Sequence, residues 1–253
     1  MTPGGLPILT YHAIDSDGAV TSTGPARFAE TLGALREAGF RAVDLGDWVD
    51  RGRPAVEKGF AVAFDDGLRS ILGVADRLAR DAIPATVFLV AGRLGSDNAW
   101  PGQSGGIPRS RLLGRADLGA LARLGFRFGS HGVSHARLDR LAPAALEGEL
   151  IGSRESIEDM IGQPCRLLAY PYGAASPAVR AAAARHYDAA FGTRLAYATA
   201  ADDPFDIARI DACYLRTRGA LDRLVGGRWH RRLAVRRAFR AFRASVESMG
   251  RPS

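Results

Sequence analysis

The chain has 253 residues and is 47% hydrophobic, so it can bury one large core, and a single main domain is expected. Its 34 basic and 27 acidic residues give a net charge of +7, which permits attraction to an anionic partner without selecting one. Two cysteines, Cys165 and Cys213, are too few for a disulfide framework or a cysteine-based metal site. Neither a signal-peptide pattern nor an apolar run of about 18 residues occurs, so a membrane-spanning helix is excluded and a cytoplasmic protein is expected.

Strand and helix patterns alternate along the chain. Strands are predicted over residues 6–12, 40–43, 60–64, 84–90, 126–130, 165–170, 187–193 and 205–210, and helices over residues 25–38, 68–80, 116–124, 143–161 and 177–186. Such alternation is typical of a parallel sheet covered by helices, and the number of strands fits a closed or nearly closed barrel. The expected fold class is therefore α/β, as a (β/α) barrel of seven or eight strands. The first strand ends at His12, which places that imidazole at the rim of the barrel.

The third predicted strand stops at two adjacent acids, Asp65 and Asp66, which Gly67 follows. Adjacent carboxylates repel each other, so the pair is tolerable where a cation neutralises it or where the two acids face different surroundings. Barrels place their chemistry at such strand ends. The alternative is a plain turn in which an aspartate caps the next helix and the glycine permits the bend.

A loop rich in Gly, Ser and Pro, residues 92–109, follows the fourth predicted strand and carries Asn98 and Trp100. Loops of this length without secondary structure are uncommon and are often functional, so a lid or substrate-binding loop is one prediction. The alternative is a floppy insertion in which Trp100 folds back on the surface.

Two histidines, His131 and His135, follow the predicted strand over residues 126–130. If residues 132–135 form a helical turn, both imidazoles lie on one face at a spacing that metal ligands use. With Asp66 they make a His-His-Asp set that leaves positions open for water and substrate and suits zinc or a related divalent metal. Two unrelated histidines at a turn are the alternative.

Two helix patterns in the second half of the chain carry many charges. The acids of residues 143–161 are most simply a solvated helix face. Residues 228–253 form a basic amphipathic pattern, so the chain divides into a barrel of residues 1–227 and this C-terminal helix. We expect the helix to pack on the barrel, with peripheral contact to an anionic membrane as the alternative. Its apolar stripe is Val235, Phe239, Phe242 and Val246, and its basic face is Arg232, Arg236, Arg240 and Arg243.

Three motifs resemble those of polysaccharide deacetylases of the NodB-homology group, carbohydrate esterase family four. They are Phe-Asp-Asp-Gly at residues 64–67, Ser-His-Gly-Val-Ser-His at residues 130–135 and Tyr-Pro-Tyr-Gly at residues 170–173, in the order of the family. The resemblance covers most of residues 6–211. It implies a distorted (β/α) barrel and metal-dependent removal of acetyl groups from N-acetylated sugars.

Carried over to matching positions, the resemblance makes Asp65 the general base and Asp66, His131 and His135 the metal ligands. This division agrees with the chemistry, because a metal polarises the acetyl carbonyl and lowers the pKa of bound water while an unligated carboxylate takes the proton. In the third motif, Pro171 and Tyr172 form a turn. The resemblance implies that the Tyr172 backbone N–H helps to hold the oxyanion, and a tight turn with a buried ring is a compatible reading.

The sequence departs from the family pattern in two places. The third motif commonly begins with an arginine that orients the base, but Ala169 stands there, and Arg209 is the candidate to serve from a neighbouring strand. The C-terminal catalytic histidine is also absent, since His230 lies in the arginine-rich segment. The opening Leu-Thr-Tyr-His resembles an exopolysaccharide-associated branch in which an N-terminal strand supplies this histidine, so His12 is the expected general acid. A core or capping histidine is the alternative.

The leading hypothesis is a hydrolase of carbon–nitrogen bonds that removes N-acetyl groups from N-acetylhexosamine units of a polysaccharide or lipid-linked glycan. It requires one divalent metal, zinc first with cobalt or nickel as alternatives, and the glycan is the expected partner, with no nucleic acid. Two other functions stay open. One is an O-acetyl esterase or non-sugar amidase with the same site, and the other is an inactive glycan-binding protein held at a membrane surface by residues 228–253.

Overall fold

The computed structural model describes residues 5–103 and 105–226, so the predicted C-terminal helix at residues 228–253 lies outside the described residues. The strands are β1 (Ile8–Tyr11), β2 (Arg41–Ala42), β3 (Gly59–Phe64), β4 (Ala85–Leu89), β5 (Arg127–Ser130), β6 (Leu167–Ala169), β7 (Ala189–Leu195) and β8 (Ile207–Asp211). The α-helices are α1 (Pro25–Glu37), α2 (Leu45–Asp50), α3 (Leu72–Arg80), α4 (Arg115–Arg123), α5 (Pro143–Ile161), α6 (Pro177–Ala183) and α7 (Arg218–Val225).

Seven strands close a parallel barrel in the order β1-β8-β7-β6-β5-β4-β3, and β3 pairs with β1 to complete the ring. This last pairing runs from Ile8 beside Ala61 to Tyr11 beside Phe64. The short strand β2 pairs with the start of β3, where Arg41 lies beside Gly59. The predicted (β/α) barrel is therefore confirmed, with seven strands in the ring.

Side chains of the strands alternate between the barrel interior and the surrounding helices. Along β1 and β3, Leu9 and Val62 pack with the helices, whereas Ile8 and Ala61 pack in the interior. Because both faces are covered, β3 is buried along its whole length and reads as a continuous apolar run.

Two helices were not predicted from the sequence, α2 and α7. The first has only six residues and is capped by Asp44, whose side chain accepts a hydrogen bond from the Asp47 backbone N–H. The second follows β8 and contacts α1. Among residues 5–103 and 105–226, no helix is long and apolar enough to cross a membrane.

The bounds of α5 agree with the prediction, but the expectation that its acids form a solvated face is only partly correct. Glu147 pairs with Arg185 and His186, and Glu158 accepts the backbone N–H of Cys165 at 3.0 Å. A third acid of the helix, Glu149, turns toward the loop after β5. Glu155 and Asp159 are exposed as expected. The prediction of a solvated face is wrong for Glu147, Glu149 and Glu158, because neighbouring segments donate hydrogen bonds to each carboxylate.

Candidate active site

A cavity of about 410 Å³ opens at the carboxyl ends of the barrel strands. Eight of the ten predicted site residues line it: His12, Asp65, Asp66, Trp100, His131, His135, Tyr172 and Arg209. They come from separate parts of the chain and meet because parallel strands end at one rim. The other two, Asn98 and Pro171, do not contribute to the lining of this cavity.

Three of these residues form a compact set of potential metal ligands. Oδ1 of Asp66 lies 3.4 Å from Nε2 of His131 and 3.2 Å from Nε2 of His135. Neighbouring ligands of a tetrahedral zinc with bonds of about 2.0 Å are separated by about 3.3 Å. Oδ1 of Asp66 is also buried without a hydrogen-bond partner among the described residues. An unsatisfied buried carboxylate oxygen that faces two imidazole nitrogens fits a divalent cation.

The surroundings of Asp66 keep it ionised. Burial by itself raises the pKa of a carboxyl group, but the His131 and His135 imidazoles that face it outweigh burial and hold the pKa of Asp66 well below its usual range. The charged form is the one that binds a metal.

The two histidines are oriented by different means. Nδ1 of His131 lies 2.7 Å from the carbonyl oxygen of Ala169, so it donates its proton there and Nε2 is left for a metal. Nδ1 of His135 is buried and has no such partner among the described residues. The His135 ring instead stacks on Trp100 at a centroid distance of 4.1 Å and meets the ring of Tyr172 edge-on at 4.6 Å.

Each of the three motifs contains a residue in the left-handed region of the backbone. The φ angles are 69° at Asp66, 62° at His135 and 59° at Tyr172. This conformation is strained for residues other than glycine and is concentrated at functional sites. The helical turn considered for residues 132–135 is therefore wrong, because a loop with φ of 78° at Gly132 and 62° at His135 brings the two imidazoles together.

The other aspartate of the pair, Asp65, forms a buried ion pair with Arg209. Two parallel hydrogen bonds of 2.7 and 2.8 Å join the guanidinium to the carboxylate, and both residues are 4% exposed. Arg209 Nε also donates to the Gly192 carbonyl oxygen at 3.0 Å. Burial raises the pKa of Asp65, but the guanidinium outweighs burial and lowers it. Arg209 thus occupies the place predicted for a partner of the base, and Ala169 leaves the interior free for it.

His12 lies at the end of β1 on the same cavity. Burial lowers the pKa of an imidazole, but the carboxylates of Asp66, Asp211 and Asp65 outweigh burial and raise the pKa of His12. A histidine so placed retains its proton at higher pH than usual. Its role as general acid stays a prediction.

Tyr172 lies in a short helical turn, Pro171–Gly173, and 41% of its surface is exposed at the cavity. The buried ring considered from the sequence is therefore wrong, because the Tyr172 side chain is exposed. Pro171 is buried at the start of the turn and fixes its geometry. The oxyanion role of the Tyr172 backbone N–H stays a prediction.

Asn98 and Trp100, in the loop after β4, are both buried, so the alternative with Trp100 on the surface is wrong. Asn98 is 2% exposed, and its side chain donates to the Pro108 carbonyl and accepts the Ser110 backbone N–H. Trp100 is 6% exposed and lies against His135. Asn98, predicted to contact substrate, therefore holds the loop together, while Trp100 forms part of the cavity wall.

Sequence reasoning missed several cavity residues, of which Asp211 is the clearest. It ends β8, and its carboxylate accepts the backbone N–H of Cys213 at 2.8 Å. Its position after an apolar strand is the same signal that identified Asp65. The hydroxyl of Thr10 also faces the cavity, is buried and has no hydrogen-bond partner among the described residues.

Comparisons with known proteins agree with this arrangement. A family model for polysaccharide deacetylases matches residues 52–189, more than half of the chain. YxkH of Bacillus subtilis (strain 168), a relative to which polysaccharide deacetylase activity is attributed, is 23% identical over 175 residues, which make up 68% of this chain and 58% of the relative. The chain therefore spans less than two thirds of that protein.

Two solved structures have the same fold at low sequence identity. IcaB from Ammonifex degensii is 20% identical with a TM-score of 0.72, over 89% of this chain and 97% of its own. The Streptococcus pyogenes deacetylase PplD in complex with acetate is 22% identical with a TM-score of 0.70, over 83% of this chain and 93% of its own. The family match contains Asp65, Asp66, His131 and His135 of the cavity. The chain therefore belongs to the polysaccharide deacetylase family, as its three motifs predicted.

Proposed function

We propose that this protein is a metal-dependent deacetylase that hydrolyses N-acetyl groups on hexosamine units of a polysaccharide or lipid-linked glycan. One observation carries the proposal: a single cavity contains a His-His-Asp set and, beside it, a separate carboxylate, Asp65, that an arginine holds in place. Hydrolysis of an amide needs both an electrophilic centre and a base, and this pair of groups supplies them. Family membership supports the same chemistry.

Asp66, His131 and His135 would hold the metal, and zinc suits two imidazoles and one carboxylate best. When bound, the metal polarises the acetyl carbonyl and makes water a better nucleophile. No other described residue joins these three as a candidate ligand.

Asp65 is the proposed general base. Its lowered pKa keeps it ionised, and each carboxylate oxygen retains a lone pair after accepting one hydrogen bond from Arg209. It therefore can accept the proton of the attacking water. As the new C–O bond forms and the C–N bond breaks, the leaving nitrogen takes a proton, which His12 is proposed to donate. Acetate and an amine are the products.

The remaining wall of the cavity is proposed to position the sugar. Trp100 closes one side behind His135, and the exposed ring of Tyr172 stands at the mouth. Aromatic faces of this kind give a sugar ring an apolar surface while the polar groups of the rim meet its hydroxyls. Arg137 lies 5.9 Å from the centre of the Tyr172 ring and adds a positive charge there.

The test is acetate release from N-acetylglucosamine oligomers by the purified chain, after chelation and after addition of zinc or cobalt. We expect metal to restore release and Asp65→Asn to abolish it. An O-acetylated glycan and a non-sugar N-acetyl amide are assayed in parallel. Acetate release from the O-acetylated glycan but not from the oligomers would indicate an esterase instead. Release from the non-sugar amide but not from the oligomers would indicate a non-sugar amidase. A folded, metal-loaded protein that releases acetate from none of them would favour the glycan-binding alternative.

A further inference from the structure

Residues 131–135, called here the histidine loop, carry both histidines of the site without forming a helix. The backbone is left-handed at Gly132 and again at His135. For a residue other than glycine this conformation costs on the order of 1–3 kcal/mol and persists where the surroundings fix it. The contacts that fix the loop therefore also decide where the His135 imidazole points.

Glu149, in the second turn of α5, makes those contacts. Its Oε2 accepts hydrogen bonds from the backbone N–H groups of Val133 at 2.7 Å and Ser134 at 3.1 Å. Its Oε1 accepts the hydroxyl of Ser134 at 2.5 Å. Two consecutive backbone N–H groups and a hydroxyl thus converge on one carboxylate, which fills an anion-binding concavity of the loop.

The same carboxylate leaves no room for a side chain at Gly132. A Cβ atom at position 132 would lie 2.9 Å from Oε2 of Glu149, which is closer than carbon and oxygen tolerate. Its φ of 78° disfavours a side chain independently. The loop therefore packs directly on Glu149 and does not merely pass near it.

The two histidines differ in how much they depend on this support. His131 has its own anchor, the hydrogen bond from Nδ1 to the Ala169 carbonyl. His135 has no polar anchor among the described residues, since its Nδ1 is buried without a partner. A metal-binding histidine is usually oriented through that second nitrogen. For His135 the orientation comes from the loop backbone and from the rings of Trp100 and Tyr172.

We propose that Glu149 is a positioning residue for His135 and thereby sets the affinity of the site for its divalent metal. By holding Val133 and Ser134, it directs Nε2 of His135 toward Asp66. The inference rests on the proposed function, because it gives Glu149 a part in assembling the metal ligands. Hydrogen bonding to the loop is the property that matters, and the carboxylate accepts all three of these contacts.

The test measures Co²⁺ affinity and the visible absorption spectrum of the Co²⁺ form for the full chain, stripped of metal beforehand. We expect Glu149→Ala to weaken Co²⁺ binding about tenfold or more, as for other residues that orient a ligand, and to change the spectrum. Glu149→Gln should stay close to the unmodified chain, because its amide oxygen accepts both backbone N–H groups while its NH2 donates to the Ser134 hydroxyl. The Co²⁺ affinity of Ser134→Ala should lie between those of Glu149→Ala and the unmodified chain. Glu155→Ala, an exposed acid of the same helix, is the matched control and should change nothing.

Thermal unfolding of each metal-free variant separates positioning from folding. A cooperatively folded Glu149→Ala variant with unchanged Co²⁺ affinity and spectrum would overturn the inference, and so would a Glu149→Gln variant as weak as Glu149→Ala. If Glu149→Ala does not fold, the Ser134→Ala variant tests the inference instead. An unchanged Co²⁺ affinity of Ser134→Ala would then overturn the inference. An unmodified chain that binds no Co²⁺ would instead refute the proposed function itself. If the unmodified chain binds Co²⁺ and Glu149→Ala binds it equally well, the inference about Glu149 is overturned but the proposed function stands.

Discussion

Asp65 and Asp66 are adjacent and chemically identical, yet the barrel gives them different surroundings. Arg209 from β8 occupies both oxygens of Asp65, whereas Asp66 faces the two imidazoles that follow β5. Only Asp66 therefore keeps a buried oxygen available to a cation. The difference between the surroundings of the two acids comes from distant strands, so the local sequence alone does not determine it.

Removal of Arg209 should show how strongly Asp65 depends on its partner. We expect Arg209→Ala to lower the free energy of unfolding by about 3–5 kcal/mol, because Asp65 is left as an unpaired buried charge. Acetate release should fall by about 100-fold or more, since the base loses its orientation. Denaturant unfolding and acetate assays measure the two effects.

A relocated arginine provides the matched comparison. Ala169 faces the same barrel interior, so Arg209→Ala combined with Ala169→Arg should regain part of the activity. Equal activity of the single and double variants would show that position 169 does not reach Asp65.

The pH dependence of the reaction should follow the two titrating groups at the rim. As the proposed base, Asp65 must be ionised, and its lowered pKa moves the acid limb of the kcat/KM profile to lower pH. As the proposed acid, His12 must carry its proton, and its raised pKa moves the alkaline limb to higher pH than an ordinary histidine gives. The His12→Gln variant should lose activity and that alkaline limb together. Retention of the limb in His12→Gln would assign it to another group.

At the scale of elements, the loop after β4 is coupled to the metal site through one ring. Trp100 covers the face of His135, which lacks a polar anchor. We expect Trp100→Ala to weaken Co²⁺ binding and acetate release by about tenfold, as loss of an orienting contact does, and Trp100→Phe to retain most of both. Isothermal titration and acetate assays measure this. Asn98→Ala loosens the loop without removing the ring, and a loss as large as that of Trp100→Ala would assign the effect to loop order instead.

The elements that could be predicted were those with a strong local pattern. Continuous apolar runs identified the buried strands, and α5 was predicted with its observed bounds. The helix α2 was missed because six residues carry too little periodicity, whereas the two-residue strand β2 lies within the strand predicted over residues 40–43. His12, Asp65, Asp66 and His131 were predicted because they stand at the ends of predicted strands, and His135 because of its spacing from His131. The sequence predicted a solvated position for Glu149, because its hydrogen-bond partners lie on a different loop and nothing in the local helix pattern indicates them.

At the scale of the whole molecule, charge is divided unevenly along the chain. Residues 227–253 contain eight basic residues and one acidic residue, so the preceding residues contain 26 of each and carry no net charge. The cavity residues described above lie among residues 5–226. The net positive charge of the chain lies in residues 227–253, outside the part of the chain that the structure describes.

This separation predicts that surface attraction and catalysis are independent. We expect the full chain to cosediment with phosphatidylglycerol vesicles at low salt and to be released near 1 M salt, where the screening length falls to about 3 Å. A chain that ends at Gly227 should stay in the supernatant but release acetate from short neutral oligomers at the rate of the full chain. Its unfolding temperature tests the expected packing of residues 228–253, since removal of a packed helix lowers that temperature. Vesicle binding by the shortened chain would contradict the assignment of surface attraction to the C-terminal charges.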